Sequence, residues 1–117
     1  MEIRFRDTTA DRIKSDLVVI PVRDKQLDEP ALRALDRHLK GQLSARARKS
    51  NFTGAEGSVL LHPTSGTLPA AYLLLIGIGA GKANGDTWRK AGAKARKEAG
   101  AIGAGEFAML FAPEKNL

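Results

Sequence analysis

Residues 16–22, DLVVIPV, form a nearly continuous run of apolar, mostly β-branched residues. A strand that is apolar at successive positions must be covered on both faces, as happens at the centre of a sheet between two layers of helices. Pro21 has no backbone N–H to donate, so the hydrogen-bonded ladder must stop or meet an edge there. This run therefore predicts a central strand and limits the chain to a layered α/β fold.

Four further segments have the pattern of strands. Apolar and polar residues alternate in residues 2–7, EIRFRD, which predicts a half-buried strand at an edge of the sheet. Apolar runs at 57–62, 71–78 and 106–112 predict three more strands, of which the first two are separated by a loop rich in Pro, Ser and Gly.

Two segments have helical periodicity. Leucines at 32, 35, 39 and 43 form one stripe, which predicts a single amphipathic helix over 30–49, capped by Asp28 and with Gly41 as a weak point in its interior. Asp86 is the predicted N-cap of a second, alanine-striped helix that Gly100 closes.

The order β, β, α, β, β, α, β predicts a three-layer α/β domain in which helices flank a mixed sheet. Right-handed crossovers would place the strand after each helix beside an earlier strand. The 117 residues fit a single domain, 1–117, with one hydrophobic core. No apolar stretch is long enough to span a bilayer, and the N-terminus lacks the apolar centre of a signal peptide, so we expect a cytoplasmic protein that does not enter the membrane.

The sequence LLLIGIGAGK, residues 73–82, raises the question of a phosphate-binding loop. It fits neither G-x-x-x-x-G-K-[ST] nor G-x-G-x-x-G, because Ile76 and Ala83 replace essential residues of the first and Lys82 replaces a glycine of the second. Two interpretations stay open. The segment is a glycine hinge, or the backbone amides of Gly77, Gly79 and Gly81 hold an anion.

Metal and thiol chemistry have little support in the sequence. Cysteine is absent, which excludes disulfides and thiolate ligands, and neither His38 nor His62 has a partner at the spacing of a chelate. We therefore expect no cofactor in this chain.

The net charge of +6 favours an anionic partner. Eleven of the nineteen basic residues fall on the two predicted helices, where they form either solvated faces or a surface for phosphate backbones. These nucleic-acid candidates are Arg33, Arg37, Lys40, Arg46, Arg48, Lys49, Arg89, Lys90, Lys94, Arg96 and Lys97.

Four segments in order, SDLVVIPV, NFTGAEGSVLLHP, AAYLLLIGIG and DTWRKAGAKARKEA, resemble the N-terminal domain of the leucine, or cytosol, aminopeptidase family. The resemblance implies a macro-domain-like fold and a parent exopeptidase with zinc or manganese in a C-terminal domain marked by N-T-D-A-E-G-R-L. No segment here matches that signature. In the partial echo TGAEG, Gly54 replaces the ligand Asp, so Glu56 is not expected to bind metal.

The resemblance also implies roles for an accessory domain that is not itself an enzyme. Its partners would be the parent's own catalytic domain, further copies in a hexamer and, as in some bacterial members, DNA. Macro-domain relatives bind ADP-ribose, often through an N-A-A-N segment after the first central strand, where this chain has residues 20–23, IPVR. Because this chain lacks the N-A-A-N segment, a nucleotide pocket at residues 77–81 ranks third among the hypotheses. The accessory domain and the DNA-binding module rank before it.

Overall fold

The computed structural model describes residues 2–6, 15–25, 30–66, 68–81 and 84–110. Its strands are β1 (Glu2–Arg6), β2 (Leu17–Arg23), β3 (Val59–Pro63), β4 (Tyr72–Gly79) and β5 (Glu106–Leu110), and its helices are α1 (Pro30–His38), α2 (Gln42–Lys49) and α3 (Gly85–Ile102). All five predicted strands are confirmed within these residues. The predicted cap Asp28 and the end of the last predicted strand lie outside the described residues.

The five described strands form one sheet in the order β1-β5-β2-β4-β3, in which β3 is antiparallel to β4 and all other pairs are parallel. The mixed sheet, the edge position of β1 and the central position of β2 are thus confirmed. Pairing with β5 covers Leu17 to Val19, whereas Pro21 pairs with Ile76 of β4 alone, as expected for a residue without a donor.

The prediction for the two crossovers is half right. The strand that follows α3, β5, lies beside β2, as predicted. The strand that follows α2, β3, instead takes the outer edge and pairs with β4, the next strand in the sequence. A short connection between β3 and β4 makes this antiparallel pair the simpler arrangement.

The sheet has a separate hydrophobic layer on each face, which confirms the three-layer prediction. Successive residues of a strand point to opposite faces. Val18 of β2 therefore packs with the leucines of α1 and α2, whereas Val19 packs with Ala91, Ala95 and Ala99 of α3. All of these side chains are buried. The small alanines let α3 approach the sheet closely.

The predicted single helix over 30–49 is wrong. Lys40 and Gly41 have φ angles of 56° and 79°, in the left-handed region that ends a helix, and the chain restarts as α2. Asp36 bridges the break: its carbonyl accepts the N–H of Gly41 at 2.9 Å, and its Oδ1 accepts the N–H groups of Leu43 and Ser44 at 3.0 and 3.2 Å. A side chain of α1 thus caps α2, and the leucine stripe stays buried across the turn.

The bounds of α3 also differ from the prediction. Asn84, not Asp86, is its N-cap and forms a capping box with Thr87. At the other end the helix continues through Gly100 and stops at Gly103, whose φ is 72°. Among the described residues, no helix is long and apolar enough to cross a membrane.

Candidate functional site

A turn at residues 52–58 lies at the carboxyl ends of β2 and β4. The carbonyl oxygen of Thr53 accepts the N–H of Lys25 at 2.8 Å. The carbonyl oxygen of Gly54 accepts the N–H of Gly79 at 3.0 Å. At the end of the turn, the carbonyl oxygen of Ser58 accepts the N–H of Gly77 at 2.8 Å. Open α/β sheets commonly hold ligands at the carboxyl ends of their strands. In this chain the 52–58 turn is hydrogen-bonded at that position.

These bonds decide which amides of the glycine segment remain for an anion. The amides of Gly77 and Gly79 donate to carbonyl oxygens of the 52–58 turn, and the carbonyl of Gly81 accepts Nη1 of Arg23 at 2.9 Å. The amides of Gly77 and Gly79 are therefore engaged by the turn, and the anion loop at Gly77, Gly79 and Gly81 stays a prediction. The alternative of a structural glycine segment accounts for both residues.

Two glycines permit this close approach of backbone to backbone. A Cβ atom on Gly77 would overlap the carbonyl oxygen of Ala55, and one on Gly54 would lie 2.5 Å from the carbonyl oxygen of Arg23. Gly54 also has a φ angle of 101°, which side-chain-bearing residues rarely adopt. Glycine at positions 54 and 77 is thus a packing requirement of the fold.

The eleven basic candidates do not form one surface. Those on α1 and α2 lie on one side of the sheet and those on α3 lie on the opposite side, because the two sets of helices cover opposite faces. The α1–α2 basic surface consists of Arg33, Arg37, Lys40, Arg46, Arg48 and Lys49, all of which are exposed. A duplex cannot contact both sets in one straight docking.

The two sets also differ in their neighbours. Arg89 and Lys90 of α3 pair with Asp86, the latter at 3.2 Å, and Lys90 also lies 3.7 Å from Glu56. These contacts lower the pKa of Asp86 and raise that of Lys90. Within the described residues, the α1–α2 basic surface has no ion pair of this kind. Its six basic residues are therefore all available to an anionic partner, whereas two of the five on α3 are paired.

One cavity lies between α1, α2 and the start of the 52–58 turn and has a volume of about 620 Å³. Its apolar wall includes Leu32, Leu43 and Phe52, and its polar groups include Arg33, Asp36 and Arg48. Sequence analysis missed this cavity because it assumed one continuous helix. The sequence signal that could have indicated two helices was Gly41 after Lys40, because glycine commonly ends a helix in the left-handed conformation.

A second cavity of about 370 Å³ lies between α3 and the carboxyl end of β4. Ile76 and Ile78 are on its apolar side, and Lys90, Lys94 and Lys97 follow one face of α3 above them. Glu56 also lines this cavity and lies near Lys90, so its carboxylate is used within the fold.

His62 is one of three buried polar residues among those that the structure describes. Its side chain is 4% exposed on β3, and neither ring nitrogen has a hydrogen-bond partner among the described residues. Burial lowers the pKa of His62 from its usual 6.5, and the charge of Arg46 acts in the same direction, whereas Asp36 opposes them. The neutral imidazole is therefore the form that fits the folded chain.

The described residues do not fit the metals that the resemblance implies. Across these ranges, no group of three or more His, Cys, Asp or Glu side chains comes together. His38 is exposed at the end of α1, and His62 is buried on β3. No step of metal chemistry is assigned to this chain.

The architecture defines a class of protein before it defines a family: a three-layer α/β domain of the macrodomain type. The macrodomain of Mycobacterium tuberculosis DarG superposes with a TM-score of 0.70 over 92% of this chain and 74% of that one, at 10% identity. A tomato leucine aminopeptidase mutant superposes with a TM-score of 0.80 over 98% of this chain and 24% of that one, at 24% identity. These similarities establish the fold alone.

The family follows from sequence. The family model of the cytosol aminopeptidase N-terminal domain matches residues 19–116. A probable cytosol aminopeptidase of Alkalilimnicola ehrlichii is 30% identical over 115 residues, which cover 97% of this chain and 23% of that protein. Another from Syntrophotalea carbinolica is 41% identical over 68 residues, or 58% of this chain and 14% of that protein. The chain belongs to the cytosol aminopeptidase family as its N-terminal domain, and it spans less than a quarter of these two relatives.

The glycine packing predicts a large difference between two Gly→Ala substitutions. Gly77→Ala should lower the free energy of unfolding by about 3 kcal/mol, because the added methyl group forces the 52–58 turn away from β4. Gly100→Ala is the control, since its Cβ meets nothing within 4 Å and alanine favours a helix by about 1 kcal/mol. Urea unfolding followed by circular dichroism measures both. Equal stability of the two variants would contradict the packing.

The buried imidazole predicts a pH dependence of stability. In the unfolded chain His62 takes up its proton near pH 6.5, whereas in the folded chain it does so only at a lower pH. The free energy of unfolding should therefore decrease as the pH falls below about 6.5, until the folded protein is also protonated. His62→Leu should remove this slope and His38→Gln should retain it, in urea titrations at a series of pH values. A slope that survives in His62→Leu would refute the assignment.

Proposed function

We propose that this chain is a non-catalytic accessory domain of a metal-dependent leucyl aminopeptidase and that it contacts duplex DNA through the α1–α2 basic surface. The family assignment supports the first part. The geometry of the 52–58 turn supports it as well, because the TGAEG echo of a metal-binding signature is a packed turn whose Glu56 lies beside Lys90.

Several properties of the parent are part of this proposal. Its zinc or manganese would be held by a catalytic domain, which is the natural partner of this chain together with further copies of the parent. The names of the cytosol aminopeptidase relatives favour the cytoplasm as its compartment. We do not extend the proposal to ADP-ribose, because the amides of Gly77 and Gly79 are bonded to the 52–58 turn.

The proposed DNA contact rests on the position of the six basic residues on one side of the sheet. They are exposed, and within the described residues they are not neutralised by ion pairs as the first turn of α3 is. Lysine and arginine on a helical surface bind phosphates without reading sequence, and such binding weakens steeply with salt. We therefore propose contact with the phosphate backbone.

The accessory role predicts that this chain has no aminopeptidase activity of its own. Purified chain, incubated with leucyl amide substrates and either zinc or manganese, should release no leucine above the background of the metal alone. A positive control is a full-length family member under the same conditions. Robust turnover by this chain that persists after repeated purification would overturn the proposal.

The DNA contact predicts unequal effects of two triple variants with the same change in charge. Arg37→Gln, Arg46→Gln and Lys49→Gln together should weaken duplex binding and reduce the slope of log K against log salt by about 0.9 for each lost phosphate contact. Fluorescence anisotropy with a labelled duplex at several salt concentrations measures this slope.

The matched control combines Lys94→Gln, Arg96→Gln and Lys97→Gln on α3. It lowers the net charge equally and should leave the slope close to that of the unchanged chain. Absence of binding at low salt, or an equal loss in both variants, would refute a specific α1–α2 surface.

A further inference from the structure

The cavity between α1 and α2 has the size and the lining of a small-molecule site. Its volume of about 620 Å³ lies within the range that binding pockets commonly have. The buried side chains of Leu32, Leu43, Ala47, Phe52 and Leu75 form its apolar part. Such a surface favours an aliphatic or aromatic body over a polar one.

The polar groups of this cavity differ in charge from one another. Arg33 on α1 and Arg48 on α2 line the cavity, and the planar donors of a guanidinium group suit a carboxylate. Asp36 contributes the opposite charge. Its Oδ1 already accepts the N–H groups of Leu43 and Ser44, which fixes the carboxylate at the cavity. Its other oxygen, Oδ2, can accept a further donor.

These features together specify a ligand with an apolar body, one carboxylate and one ammonium group. We propose that the α1–α2 cavity binds a free apolar α-amino acid. The carboxylate faces Arg33 and Arg48, the ammonium group faces Asp36, and the side chain lies on the leucine and phenylalanine wall. The choice of an amino acid among zwitterions of this kind rests on the proposed function, since an aminopeptidase releases such molecules.

The direct experiment is a titration of the isotope-labelled chain with L-leucine, followed by two-dimensional NMR of its backbone amides. The expected result is a saturable shift that includes the amides of Leu43 and Ser44, because both bond to Asp36. N-acetyl-leucine lacks the ammonium group, leucinamide lacks the carboxylate and glycine lacks the apolar body. Each should bind about tenfold more weakly than leucine, or worse.

Variants of the chain separate this cavity from the rest of the basic surface. Arg33→Gln and Arg48→Gln should each weaken leucine binding by about tenfold. Arg37→Gln and Lys49→Gln remove the same charge from the same helices outside the cavity and should leave binding unchanged. Ser44 lines the cavity, so Ser44→Phe should block the site by filling it. The shape of each variant's spectrum shows whether it is folded.

Three outcomes would overturn the site: no saturable shift with leucine, binding of leucinamide and N-acetyl-leucine as tight as that of leucine, or an equal effect of all four arginine and lysine variants. The titration contains neither DNA nor a peptide substrate. Its failure would therefore leave the accessory domain and its DNA contact standing, whereas the salt titration and the activity assay test those independently.

Discussion

The contact on which the rest of the structure depends is the close approach of the 52–58 turn to the ends of β2 and β4. Gly54 and Gly77 allow backbone atoms to meet where any side chain would collide. The resulting hydrogen bonds set where β3 begins, because Ser58 accepts the amide of Gly77 just before the strand. They also join the α1–α2 layer to the sheet, since the turn follows directly from α2. A constraint on two glycines thus positions one whole layer.

The same contact places the candidate site of this chain away from the carboxyl ends of β2 and β4. The carboxyl ends of β2 and β4 are bonded to the turn, so the amides that an anion would use there serve the backbone. Exposed charge and open volume occur instead around α1 and α2. The functional proposals follow from that shift: the basic surface and the cavity share Arg33 and Arg48, so phosphate and carboxylate would be recognised by the same guanidinium groups.

Sequence patterns predicted the layers and strands because burial on both faces leaves a direct trace. The run around Val18 and Val19 is apolar at every position, since each residue packs on a different layer. Local breaks left weaker traces. Gly41 was interpreted as a weak point inside one helix, whereas Asp36 caps a new helix from several residues away, a contact that periodicity does not contain. The cavity was missed for the same reason, because it exists only where the two helices diverge.

Charge counts could predict a basic chain but not the arrangement of its charges. Arg48 and Arg96 have equal weight in a sequence, yet their helices cover opposite faces of the sheet. The first turn of α3 is partly neutralised by Asp86, whereas the corresponding acid of α1, Asp36, faces the cavity and binds backbone amides. The carboxylate of Asp86 thus lowers the charge of the α3 surface, and the carboxylate of Asp36 stabilises the junction between α1 and α2. The position of each acid, more than the net charge of +6, determines which basic residues remain for a partner.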